Sequence, residues 1–186
     1  MSKHKARQIA RITQATLALI GDEGLSRLSI SRVADAAGVT RQTVYNYFPD
    51  VDAIIAHALE EHGKAMERHL LEIIVAAATP REKLVAFAQF QIELASSGHE
   101  NISLEAGLPI EVRQRLDQHS NSLKNMLQRV IGAGIKSGDF DPAVAGELVW
   151  EIARGGANAA AKHPERKLYF LGAVEKAMMA ILLENH

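Results

Sequence analysis

The sequence contains no cysteine. That excludes a disulfide scaffold, a thiol nucleophile and any cysteine-ligated zinc site, and it suits a reducing compartment. Long apolar runs are also missing. The most apolar region is cut where Glu72 separates Leu70 and Leu71 from the Ile73–Ala78 run, and nothing approaches the roughly 18 residues a membrane span needs. Arg11, Thr13 and Gln14 interrupt any signal-peptide core behind the basic start MSKHKARQ, so a cytoplasmic protein away from membranes is expected. Enzyme signatures are absent too. There is no His-Glu-x-x-His, no Gly-x-Ser-x-Gly and no phosphate-cradling glycine loop, so the expectation is a protein that is not an enzyme and carries no cofactor or metal.

A net charge of −1 conceals an asymmetry. Residues 1–48 carry Lys3, Lys5, Arg7, Arg11, Arg27, Arg32 and Arg41 against Asp22, Glu23 and Asp35, while the remainder carries fourteen cations against nineteen acids. Only the first quarter of the chain is suited to a polyanion.

With 47% apolar residues, the chain has material for a substantial core, and it reads as helices. Glycine and proline fall at breaks: Gly21–Gly24, Gly38, Pro49, Pro80, Gly98, Gly107–Pro109, Gly138–Pro142 and Pro164. Between them apolar residues recur every three or four positions, and no alternating run or Asn-Gly hairpin signal occurs. The fold class is all-α, with about nine helices.

The first helix is expected from about Lys5 to Ile20, with Ile9, Ile12, Ala15 and Leu19 inward and Gly21 and Gly24 closing it. Ser29 is a good cap for a second helix, whose Ile30, Val33, Ala34 and Ala37 share one face. Gly38 suits the left-handed position that follows. Thr40 caps a third helix, Arg41–Phe48, with Val44 and Phe48 inward; Pro49 ends it, and Asp50 caps a fourth. Arg41, Gln42, Tyr45 and Asn46 then share the outward face. Arginine can bond both acceptors of guanine, and glutamine or asparagine can pair with the edge of adenine. Tyrosine can reach a phosphate. No acid lies between Arg41 and Phe48, unlike an ordinary solvated face of lysine and glutamate. Ser29 and Ser31 offer hydroxyls and helix-start amides to the backbone.

Residues 25–55, LSRLSISRVADAAGVTRQTVYNYFPDVDAII, resemble the DNA-binding segment of TetR-type transcriptional regulators. The likeness lies in the capped second helix, the Val-Ala-x-x-Ala-Gly-Val turn and the closing Thr-Val-Tyr-Asn-Tyr-Phe. It is close over about the first 60 residues. It implies an N-terminal three-helix helix-turn-helix domain over residues 1–49, with the turn motif at 29–48, and a helical ligand-binding and dimerisation domain over 50–186. Thr40, Arg41, Gln42, Tyr45 and Tyr47 occupy positions that contact DNA in that family; Thr43, Asn46, Ser29 and Ser31 complete the candidate set. One departure concerns affinity. A lysine that touches phosphate usually follows the Phe-Pro-Ser step, whereas Val51 stands there between Asp50 and Asp52.

Beyond residue 50 the reading is coarser. The fourth helix is expected over Val51–Ala78, followed by Pro80–Ser97, a short segment carrying Asn101 and Glu105, Pro109–Lys136, a helix starting at Asp141–Pro142, and Pro164–Asn185. His62, Met66, His69, Phe87, Phe90, Gln91, Met126 and Trp150 are candidates for a mostly apolar effector site, with plain core packing or half-exposed histidines as the alternative. The seven-residue spacing of His62 and His69 puts them about 10 Å apart along a helix axis, too far for one ion. Gly146, Gly155 and Gly156 inside a helix imply close backbone approach, and the last two helices are the expected homodimer seam, as the resemblance implies. The expected function is a homodimeric, ligand-responsive regulator, a repressor bound to a near-palindromic stretch of double-stranded DNA and released by a small molecule. An activator on the same fold, or an adaptor with degenerate DNA binding, is the alternative.

Overall fold

The computed structural model describes residues 3–96, 110–143 and 146–183. Among these there are eight α-helices, two short 3₁₀ turns and no strand. The helices are α1 (Lys3–Glu23), α2 (Ile30–Ala37), α3 (Arg41–Tyr45), α4 (Val51–Ala76), α5 (Pro80–Ser96), α6 (Ile110–Ser137), α7 (Gly146–Lys162) and α8 (Lys167–Leu182). The expected segment around Asn101 and Glu105 lies outside the described residues. The chain forms two compact units, Met1–Ala65 with Asn101–His119, and Met66–Glu100 with Ser120–His186. Helices α4 and α6 each have residues in both.

In the first unit α1 runs through Gly21 to Glu23; the Gly24 amide still donates to the Ile20 carbonyl at 3.0 Å, and the φ of 81° at Gly24 then turns the chain out of the helix. Gly24 alone closes the helix; Gly21, also expected to do so, is simply part of it. The buried stripe is Ile12, Thr13, Thr16 and Ile20, rotated from the expected face, since Ile9, Ala15 and Leu19 are only half-buried. Thr16 can occupy the inner face because its hydroxyl donates to the Ile12 carbonyl at 2.9 Å. Ile12, Val33, Ala34, Ala37, Val44, Phe48 and Ile54 make one core. A second cluster joins Ile20 and Leu25 to Ile55, Leu59 and Val112, attaching the start of α6 to the start of α4. Beside it Arg115 pairs with Glu60, which also bonds Lys64 at 2.8 Å. The Lys64 hydrogen bond and the Arg115 charge hold the Glu60 carboxyl below its ordinary range.

The second unit is built around α5, which packs on α7 and α8. Its start is a reciprocal cap. The Glu82 amide donates to Thr79 Oγ1 at 3.2 Å, and the Glu82 carboxylate accepts from the Ala78 and Thr79 amides at 2.9 and 3.0 Å. Leu70, Leu84, Phe87, Leu127, Val149, Ala153, Met178 and Leu182 are among the core residues. Three expected bounds shift here. Asp141 accepts from the Ala143 amide at 2.7 Å, yet the described part of α7 begins at Gly146. The last helix was read from Pro164, but Pro164–Arg166 is a 3₁₀ turn and α8 starts at Lys167. Helix α4 ends at Ala76, two residues short of the expected Ala78, whereas the expected start of α6 at Pro109 lies outside the described residues.

Candidate nucleic-acid interface

The interface is assembled from local hydrogen bonds. Ser29 Oγ accepts from the Arg32 amide at 3.3 Å and starts α2. At the other end Gly38 adopts φ +62°, and the Val39 amide reaches back to the Ala34 carbonyl at 3.0 Å, turning the chain toward α3. Arg11 of α1 finishes the turn, its Nη2 donating to the carbonyls of Ala37 at 2.7 Å and Gly38 at 3.3 Å. A Cβ on Gly38 would lie 3.0 Å from that guanidinium nitrogen. The left-handed backbone favours glycine at residue 38, and a side chain there would also press on the Arg11 guanidinium that holds the turn.

Thr40 caps α3, its Oγ1 accepting from the Thr43 amide at 3.1 Å and lying 2.9 Å from the Thr43 hydroxyl. Regular helix stops at Tyr45, three residues short of the expected Phe48, and a turn follows in which the Tyr47 and Phe48 amides both donate to the Val44 carbonyl at 3.0 Å. The cause is Pro49, which disfavours helical geometry at the residue before it. A five-residue helix has almost no stability of its own. It is held by its anchors: Val44 is fully buried, and Phe48 is buried with its ring centroid 5.5 Å from that of His57. Tyr47 is half-buried against the same core.

Those anchors fix what points out. Arg41, Gln42, Tyr45 and Asn46 are exposed together, and Tyr45 keeps 53% of its surface. Gln42 Nε2 donates to Asn46 Oδ1 at 3.2 Å. One amide face of each is thereby fixed, leaving the Gln42 oxygen and the Asn46 nitrogen outward as one acceptor and one donor. Arg41 and Arg27 carry no ion pair among the described residues. Ser29 and Thr40 are exposed, and Ser31 and Thr43 half-buried. Eight of the nine candidates thus lie within α2, α3 and their caps, and Tyr47 lies in the turn that follows. Periodicity gave no signal for Arg11, counted only as one of seven cations, or for the Arg32–Glu23 pair, which commits one of the basic side chains within the protein.

Near Val51, the Asp50 carboxylate accepts from the Ala53 amide at 2.8 Å and so caps α4. Val51 is half-buried against the Ile20–Leu25–Ile55 cluster. Valine has a packing role at this position that a lysine ammonium would not share.

The effector candidates divide between the units. His62 belongs to the first, half-buried. Met66, His69, Phe87, Phe90, Gln91, Met126 and Trp150 belong to the second. There the Phe87 and Trp150 rings lie 6.4 Å apart and the His69 and Phe90 rings 6.1 Å apart. Phe87, Phe90, Gln91 and Trp150 are buried, Met66 and Met126 pack at the edge of the core, and His69 is exposed. Among the described residues no group of three or more acids and histidines could hold a metal ion, and no helix is long and apolar enough to cross a membrane.

Residues 12–58 match the family model described as bacterial regulatory proteins, tetR family. The chain is 29% identical over 144 residues to the fatty acid metabolism regulator protein of Bacillus subtilis, covering 74% of this chain and 73% of that one. Two solved structures share the fold. A transcriptional regulator from Saccharomonospora viridis, crystallised with choline, superposes with a TM-score of 0.85 at 18% identity over 97% of this chain and 100% of that one. The regulator FadR from Bacillus subtilis, in complex with stearoyl-CoA, gives 0.77 at 19% identity over 94% and 99%.

Proposed function

We propose that the chain is a regulator of the tetR type and works as a homodimeric repressor that leaves a near-palindromic operator when a small molecule binds. The observation that carries the DNA reading is the outward set Arg41, Gln42, Tyr45 and Asn46 over the buried pair Val44 and Phe48. A short helix so anchored presents its side chains to a major groove while α2 and its Ser29 cap lie along the phosphates. Residues 1–49 take the DNA, and residues 50–186 take the effector and the partner subunit. Thr40, Thr43 and Ser31 supply hydroxyls for phosphates, and Tyr47 positions the end of α3.

Helix α8 supports the dimer. It buries Val174, Met178, Met179 and Leu182, yet leaves Leu168 81% and Tyr169 61% exposed. On α7, Leu148 is 49% exposed. Helices apolar on more than one side belong inside an assembly. Gly155 and Gly172 add open space where a Cβ would otherwise stand, which suits close approach of a second copy.

The mechanism is a population shift. The effector separates the recognition helices only to the extent that it binds the DNA-free form more tightly than the bound form. Regulators similar to this one are known with stearoyl-CoA and with choline, and here the effector reading rests on the aromatic and methionine side chains of the second unit. The test is selection of bound sites from random duplex DNA, followed by anisotropy titration at several salt concentrations. We expect paired half-sites about one helical turn or slightly more apart and affinity that falls steeply with salt. A flat salt response, or no enriched sequence, overturns the reading.

A further inference from the structure

Gln91 is out of place energetically. It sits on α5 in the buried stripe Leu84, Phe87, Ala88, Gln91 and Ala95, and keeps only 3% of its surface. Its Oε1 is buried without a hydrogen-bond partner. Among the described residues of the second unit it is the single buried polar side chain, the other two described ones being Thr13 and Thr16 of α1. One turn before it, the Phe87 ring faces Trp150 of α7. A buried amide oxygen left unpaired destabilises the protein that carries it, whereas an apolar side chain of the same shape would not. Among the described residues of this unit no charge is buried to compensate an ion, and burying an unpaired ion is far more costly than burying a hydroxyl.

We propose that Gln91 Oε1 is the acceptor for a single hydrogen-bond donor on the effector. The buried part of that effector is therefore an uncharged apolar molecule bearing one hydroxyl or N–H group. The proposal rests on the reading of the second unit as the effector domain. It narrows that reading to one chemical class: a carboxylate or quaternary ammonium would enter Gln91's surroundings with no counter-charge, and an acceptor-only molecule would leave the Gln91 oxygen unpaired.

The test uses probes of one chain length: decan-1-ol, its methyl ether, decanoate and decyltrimethylammonium, titrated calorimetrically into the full chain. We expect the alcohol to bind about tenfold more tightly than the ether, the magnitude of one neutral hydrogen bond formed in a dry site, and both ions to bind more weakly than the alcohol. In Gln91→Leu the alcohol-to-ether ratio should fall to about one, while the melting temperature of the ligand-free protein rises because an unpaired acceptor has gone. Gln91→Met gives the same two readouts with a more flexible side chain, should the leucine variant not fold. Equal binding of alcohol and ether, tighter binding of either ion, a ratio that persists in both variants, or a lowered melting temperature in both overturns the proposal. Binding of none of the four also overturns it, and if the protein still shifts its selected DNA the regulator reading stands. Loss of DNA binding alone would instead remove the regulator reading and leave the probe results intact.

Discussion

The α2–α3 region and the α7–α8 region are both helical pairs, yet they are held by different forces. In α2–α3 each end is specified by neighbours in sequence: Ser29 to Arg32, Ala34 to Val39, Thr40 to Thr43, Val44 to Phe48. Burial is confined to a few anchors. In α7–α8 no side-chain cap closes the described 3₁₀ turn or the start of α8, and the helices are fixed by long-range packing such as Gly156 against Val174. The first arrangement frees a polar face for a partner with a fixed repeat. The second leaves apolar residues such as Leu148 and Leu168 exposed, the surface that the proposed reading gives to a second copy. A regulator needs both kinds of surface in one chain, and the contrast shows that they are built by separate means.

The largest effect should come from removing an anchor where local bonds cannot compensate. Phe48→Ala deletes a buried aromatic at the end of α3 and should cost about 3–5 kcal/mol. Urea denaturation measures the loss, and DNA binding should vanish at temperatures where the second unit still shows its melting transition. Unaltered stability would mean that α3 is held by its caps alone, erasing the contrast. Next comes a pair of neighbours in α7. A Cβ at Gly156 would stand 2.0 Å from Val174 Cγ2, whereas one at Gly155 meets nothing within 4 Å. Gly156→Ala should destabilise by about 1–3 kcal/mol through overpacking, with recovery in the double variant carrying Val174→Ala. Gly155→Ala should be neutral or gain up to about 1 kcal/mol from helix propensity in a monomer. A loss at Gly155 that disappears on dilution would reveal the partner subunit.

That pair also shows how far the sequence was legible. Every feature of α2–α3 that rests on residue type and spacing could be read: Ser29, Gly38 and Thr40 as caps, Val44 and Phe48 inward, Arg41, Gln42, Tyr45 and Asn46 outward. Local chemistry decides these, and local chemistry is written within four residues. The early stop of α3 follows from Pro49 but was placed at the wrong residue, because a turn can satisfy the same amides. In α7 the same spacing argument treats Gly155 and Gly156 alike. Only Val174, eighteen positions further on, distinguishes them, and nothing in either neighbourhood points to it. Arg11 is the same case in the first unit: its partner carbonyls are 26 and 27 residues away. For Gln91 the sequence shows only one effector candidate among eight; that its oxygen is buried without a partner depends on the packing around α5.

Substitutions on the polar face should separate recognition from folding. Arg41→Ala and Gln42→Ala remove exposed groups, so thermal stability should stay within about 0.5 kcal/mol. Each should reduce discrimination at one base position by about 1–3 kcal/mol if it makes a bidentate contact, read by repeating site selection with the variant. Gln42→Ala should also release Asn46, its 3.2 Å partner, and so relax a second, adjacent position. Tyr45→Phe should weaken binding by a similar factor on all sequences, as expected for a phosphate contact. Uniform weakening by Arg41→Ala would place the arginine on the backbone instead and shift base reading to the two amides.

The smallest effect sets the two kinds of force against each other at one residue. Val51 is half-buried against Ile20, Leu25 and Ile55, while the resemblance places a phosphate-touching lysine there. Val51→Lys should steepen the salt dependence by about one unit of slope, the counterion release of a single added phosphate contact. It should tighten binding only a few-fold at low salt, because Asp50 and Asp52 flank the new ammonium. Asp50 cannot be sacrificed to help, since its carboxylate caps α4 and an alanine there would lose about 1 kcal/mol. Asp52→Asn has no such role and should enhance the lysine's effect. Stability should fall slightly as the lysine stem replaces a packed valine. If Val51→Lys leaves both slope and affinity unchanged, residue 51 never reaches the duplex, and valine stands there for packing alone.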